Sequence, residues 1–187
     1  KIFVAEVAST CNEALLIRHL LKNSKDKQEK AYLLNYFLES FRGTLFRQTM
    51  FAEFEQKAHE MAATGESLTS QSLCSIYKKL NEDYFGPDTV TDPEIQYEWE
   101  RIPHFYTPFY VYQYATGFSA AIAISRKIFN GEPGILEGYK KFLSGGCCDT
   151  PIELLKLAGV DMSHTGPVEE ALKFFEELLN EFEELAQ

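Results

Sequence analysis

Near the start of the chain Glu6, Ser9 or Thr10, and Glu13 recur at i, i+3 or i+4, and i+7. On a helix that spacing stacks two carboxyls and a hydroxyl along one face. Around them Phe3, Val4, Val7, Ala8, Cys11 and Ala14 are apolar enough to bury much of the same helix. A carboxylate among apolar neighbours is costly unless a cation, a metal ion or a dense set of donors compensates it. No Lys or Arg lies between Lys1 and Arg18, so whatever faces the acidic stripe must come from outside it. Metal ligation is one chemistry such a stripe offers. A solvated helix face is the plainer reading of two glutamates seven residues apart.

The second chemical stretch is Ile102-Pro-His104-Phe-Tyr106-Thr-Pro-Phe-Tyr110-Val-Tyr112-Gln-Tyr114-Ala-Thr-Gly117. Four tyrosines fall within nine residues beside one histidine. On a helix Tyr106, Tyr110 and Tyr114 share a face, and Pro108 suits the first turn, which leaves His104 and Tyr106 in the entry loop. A phenol and an imidazole can both donate hydrogen bonds to an oxyanion at neutral pH. The same spacing also fits core tyrosines with satisfied hydroxyls and a structural histidine. A third stretch, Tyr139 to Met162, holds Gly145-Gly146, which permits positive φ, and Asp149 or Thr150 as helix cap before Pro151. It lacks the Lys and Ser/Thr ending of a phosphate-binding loop.

Helices separated by short breakers must position these groups. The pattern predicts a helix over Phe3–Leu21, then one capped by Asp26 and running through Met61 to Gly65, with Gly43 marking a close helix contact. Further helices are expected from Thr69 or Ser70 to about Leu80, Thr107–Phe129, Ile135–Leu143, Ile152–Leu157 and Val168–Leu185, with a weak helix or turn over Glu94–Arg101. The last helix places Leu172, Phe175, Leu178, Leu179, Phe182 and Leu185 on an apolar face opposite an acidic one. No repeat or Ser/Gly linker occurs, so one packed all-α unit is expected.

Composition bounds the rest. The 187 residues include 18 basic and 28 acidic side chains, net −10, which argues against nucleic acid and anionic membranes as partners. No run reaches a membrane span of ~20 apolar residues, and Lys1 opens no signal-peptide pattern. With no initiating Met, a processed or truncated N-terminus is expected. Cys11, Cys74, Cys147 and Cys148 have no metal spacing and read as reduced cytoplasmic thiols.

Three segments carry a family resemblance, in family order: Phe3-Val-Ala-Glu6-Val-Ala-Ser-Thr-Cys-Asn-Glu13-Ala-Leu, the Pro103–Gly117 stretch, and the glycine loop with the helix after it. Together they resemble oligoendopeptidase F, in the thimet-oligopeptidase group of zinc metallopeptidases. The resemblance implies a zincin-like helical peptidase domain that hydrolyses short oligopeptides with one zinc ion. It makes Glu6 the third zinc ligand; it transfers no role to Glu13, for which a carboxylate that fixes a ligand in place is the reading its position offers. His104 and Tyr110 would hold the scissile carbonyl and its oxyanion, Tyr106 and Tyr114 would contact substrate, and Gly117 would permit close packing or substrate approach. The family's other two ligands and general base sit on a His-Glu-x-x-His helix, which this sequence lacks. Its four histidines are His19, His59, His104 and His164. Residues 1–187 are therefore expected to be the C-terminal fragment of the catalytic domain, inactive alone, with apolar surface through which it dimerises; a monomer at high concentration would oppose that last expectation. The competing readings are a non-catalytic helical module that grips a peptide or protein through its Tyr-rich face, and a purely structural helical domain.

Overall fold

The first helical break falls where the sequence turns polar, at Lys22-Asn-Ser-Lys-Asp26, and the computed structural model, which describes residues 2–186, places it there. A 3-10 turn over Ile2–Val4 leads into α1 (Val7–Asn23). Asp26 caps α2 (Lys27–Ser40) by accepting from the Gln28 N–H. Helical hydrogen bonding passes through a π-helical stretch at Phe41–Phe46 into α3 (Arg47–Thr64), which Gly65 closes at φ +82°. Thr69 and Ser72 form a reciprocal capping box on α4 (Ser70–Phe85). Short 3-10 helices at Pro93–Arg101 and Pro103–Tyr106 precede α5 (Tyr112–Phe129), α6 (Ile135–Ser144), α7 (Pro151–Leu157) and α8 (Gly166–Ala186). Among the described residues the fold is all-α, as the sequence predicts.

The chain divides into two compact units, Lys1–Leu45 with Gln113–Gln187, and Phe46–Tyr112. The sequence predicts one packed unit instead. Both changes of unit fall inside or beside helical stretches, where no linker composition could announce them.

In the first unit α5 is buried all round from Gly117 to Ser125, as its run of Ala, Ile and small residues dictates. Ser119 and Ser125 satisfy their buried hydroxyls on the carbonyls of Ala115 and Ile122. Val7 and Cys11 of α1 join this core with Tyr139 and Phe142 of α6 and Leu154 and Leu155 of α7. Phe41 packs on Phe118 with centroids 4.8 Å apart, and Phe37 and Phe41 both meet Phe174 of α8. The α8 face is thus set by Ala171, Phe174 and Leu178, whereas Leu172 and Leu179, expected on it, are exposed. Gly138 of α6 faces the Leu157 carbonyl so closely that a Cβ would overlap it. Gly43 has open space around it, so its expected close helix contact does not exist.

In the second unit Met50, Phe51 and Phe54 of α3 pack on Tyr77 and Leu80 of α4, with Ile102 and Val111. Phe105 stacks into this core, 5.2 Å from Phe54 and 5.8 Å from Phe51. Glu98, almost fully buried, gathers the hydroxyl of Tyr77 at 2.6 Å and the guanidinium groups of Arg47 and Arg101.

Candidate active-site elements

The aromatic stretch is not one helix: a turn over residues 107–111 separates a 3-10 helix from α5. Phe105 anchors the 3-10 helix Pro103–Tyr106 in the core, so its neighbours face elsewhere: His104 is half-buried and Tyr106 is 84% exposed. Thr107 is extended, as a residue before proline prefers. Phe109 then adopts φ +58°, the one non-glycine residue with positive φ among the described residues. Its N–H donates to Oε1 of Glu55 at 2.7 Å. Its ring lies against His59, with centroids 4.7 Å apart. The turn brings Tyr110 back over His104, and the two rings stack with centroids 5.3 Å apart and planes 3° apart. Val111 is buried, and α5 starts only at Tyr112.

This corrects two expectations. The helix begins five residues after Thr107, and Tyr106, Tyr110 and Tyr114 do not share a helical face. Tyr106 lies in a 3-10 helix and Tyr110 in the turn, while Tyr114 belongs to α5 and to the first unit. The physical cause is the Thr107-Pro108 pair together with the carboxyl that takes the Phe109 N–H. Glu55 and His59 were missed by sequence reasoning. A signal existed for Glu55: it follows Phe51 and Phe54 at i+4 and i+1, on the core face of α3, and it is buried there.

In the first unit, Glu6 is the N-cap residue of α1 and its side chain is exposed, as is that of Glu13. Val7, Cys11 and Ala14 point into the core, so the helix separates its acidic and apolar faces and buries neither carboxyl. Ser9 donates to the Glu6 carbonyl at 3.0 Å and reaches its Oε2 at 3.5 Å. A groove of about 530 Å³ lies beside this turn, lined by Val4, Ala5, Ala8, Phe142, Leu143, Gly146 and Cys147. The glycine loop borders it, with Gly146 at φ +55°. Thr150 caps α7 on the Glu153 N–H and Pro151 takes the first position, as expected. Tyr139 ties α6 to α1 by donating towards the Ala8 carbonyl and Asn12 Oδ1, both at 3.2 Å. Gly117 is buried, and a Cβ there would stand 3.6 Å from the Phe3 carbonyl, an ordinary van der Waals contact, so the space around it does not itself require glycine.

Among the described residues no three His, Cys, Asp or Glu side chains converge as a metal site. Each histidine has its own local neighbour: His19 reaches Asn23, His59 stacks on Phe109, His104 on Tyr110, and His164 accepts from the Gly166 N–H. The side chains of this chain alone do not fit a complete zinc centre. No helix of the described residues is long and apolar enough to cross a membrane.

Comparison with known proteins gives the context. The chain is 56% identical over 185 residues to oligopeptidase PepF of Bacillus subtilis, covering 98% of this chain and 28% of that protein. It is 52% identical to the chromosomal oligoendopeptidase F of Lactococcus lactis subsp. cremoris, covering 100% and 31%. The crystal structure of oligoendopeptidase-F from Enterococcus faecium superposes with a TM-score of 0.94 at 52% identity, covering 100% of this chain and 36% of that one. The chain thus spans about a third of the length of the relatives it matches. Its sequence matches Peptidase family M3 over residues 1–174. The chain belongs to Peptidase family M3.

Proposed function

We propose that this chain is the C-terminal portion of the catalytic domain of a cytoplasmic zinc endopeptidase acting on short peptides. The observation that carries the reading is the stacked pair of His104 and Tyr110 on a built turn. An imidazole N–H and a phenol O–H can both donate to the oxygen of a carbonyl under attack, where negative charge develops. Mutual stacking limits the rotation of both rings, so the donors are aimed before substrate arrives. Glu6, exposed at the head of α1, would give one carboxylate to a zinc centre whose other ligands lie elsewhere in the protein. Zinc, when bound, supplies Lewis-acid polarisation. Glu13, two turns on, would steady that ligand through its surroundings. Tyr114 and Tyr106 would contact substrate, and the glycine loop would border it. The chain alone is inactive in this reading.

A second reading, a peptide-binding module, is favoured by the exposure of Tyr106, Phe109 and Tyr112. One comparison separates them. Peptidase activity on a quenched oligopeptide is measured, with and without zinc, for this chain and for a chain extended upstream through a His-Glu-x-x-His helix, each with a Glu6→Gln partner. Cleavage by the extended, zinc-loaded Glu6 form alone supports the peptidase. Cleavage that survives Glu6→Gln removes the ligand role, and peptide binding without cleavage by any form favours the module.

A further inference from the structure

We propose that Glu55 is a positioning residue: its buried carboxyl holds the Phe109 backbone in the left-handed turn that presents Tyr110 to the substrate carbonyl. Its functional consequence rests on the peptidase reading above; its structural claim does not.

Three observations converge. Glu55 is 6% exposed, and no cation among the described residues pairs with it. A buried carboxyl is retained at a cost unless donors satisfy it, and the donor here is a backbone N–H from the aromatic turn at 2.7 Å. That N–H belongs to Phe109, whose φ of +58° is disfavoured for a bulky side chain and persists only where its surroundings impose it. The two residues after Phe109 show what depends on it. Val111 is fully buried, and Tyr110 lies parallel over His104. If Phe109 relaxed to negative φ, the chain direction at Tyr110 would change, and the stack could not keep its geometry. His59 lies against the Phe109 ring. Glu55 meets the turn at the Phe109 N–H, so its influence passes through the backbone.

The test uses the full-length protein and two readouts. Hydrogen exchange followed by mass spectrometry reports segment 105–112, and steady-state kinetics on a quenched peptide separates kcat from KM. Glu55→Ala is expected to speed exchange of that segment while α3 and α4 stay protected, and to lower kcat by about 10- to 100-fold with KM little changed. Glu55→Gln keeps an acceptor oxygen and is expected to retain both. Phe109→Gly supplies a residue that adopts positive φ unaided, so Glu55→Ala should cost much less kcat in that background. Phe109→Pro removes the same N–H from the exposed side and forbids positive φ, so it should reproduce the Glu55→Ala phenotype even if Glu55→Ala fails to fold. Unchanged exchange of 105–112 in Glu55→Ala, a Gln variant as impaired as Ala, or a fully active Phe109→Pro would each overturn the proposal. If Tyr110→Phe leaves kcat intact while Glu55→Ala still opens the turn, the catalytic reading fails and the positioning role stands.

Discussion

The rings of His104 and Tyr110 lie 3° from parallel with centroids 5.3 Å apart, although five intervening residues include a proline and a left-handed turn. The pair survives removal of the tyrosine hydroxyl, because stacking uses the ring and not the oxygen. Tyr110→Phe in the full-length protein therefore isolates the donor. It should lower kcat about 10²–10³-fold with little change in KM. An unchanged kcat sinks the oxyanion role.

Glu98 makes the second unit acid-sensitive. Burial alone would raise its carboxyl, but hydrogen bonds from Tyr77 and Arg47 and the charges of Arg47 and Arg101 outweigh it and hold the group below the usual carboxylate range. Tyr77 is raised in turn, by burial and then by its bond to that carboxylate. A depressed folded pKa adds stability above the unfolded value, ~4.3, and that stability is lost as pH falls through the lower folded value. Glu98→Ala leaves Arg47 and Tyr77 without their acceptor and should cost ~3 kcal/mol at neutral pH. The cost should shrink as pH falls through that window, which urea titrations at pH 7 and pH 3 would read; a pH-independent cost refutes the ionic origin.

The thiols should divide by position. Cys11 is fully buried, and burial pushes it up to about 11, with the Tyr139 hydroxyl pulling the other way. At pH 8 about a thousandth of it is thiolate, the reactive form. Cys147 and Cys148 are exposed. Brief alkylation of the native protein followed by peptide mass mapping should modify those two and spare Cys11 and Cys74 until denaturant is added. Early modification of Cys11 would mean that α1 opens locally.

Two glycines should respond oppositely to alanine. At Gly138 a Cβ meets the Leu157 backbone carbonyl, which cannot step aside without moving α7, so Gly138→Ala should destabilise by about 3 kcal/mol. At Gly43 a Cβ meets nothing, and the reduced entropy of the unfolded chain should make Gly43→Ala neutral or stabilising by up to ~1 kcal/mol. Chemical denaturation of both variants checks the pair; a loss at Gly43 would show that the π-helical stretch resists a side chain.

What was legible in the sequence was local. Asp26, Gly65, Thr69 and Thr150-Pro151 each stop or start a helix within a few residues of themselves, and each does so here. The motif segments carried the family resemblance without needing the fold. The start of α5 was not legible, since the helical spacing of the tyrosines continues through Pro108 while the backbone does not. What breaks it is the Thr107-Pro108 pair together with a carboxyl from α3. The division into two units was hidden for a related reason: it leaves no trace in composition when it coincides with helical residues.

The Glu55 carboxyl and the Phe109 N–H are 54 residues apart in the chain. Helices can form from neighbours alone, but this bond waits for long-range closure. Recovery of far-UV ellipticity during refolding is therefore a poor proxy for recovery of a competent site. A chain can regain nearly all its helix signal while the aromatic turn is still unmade.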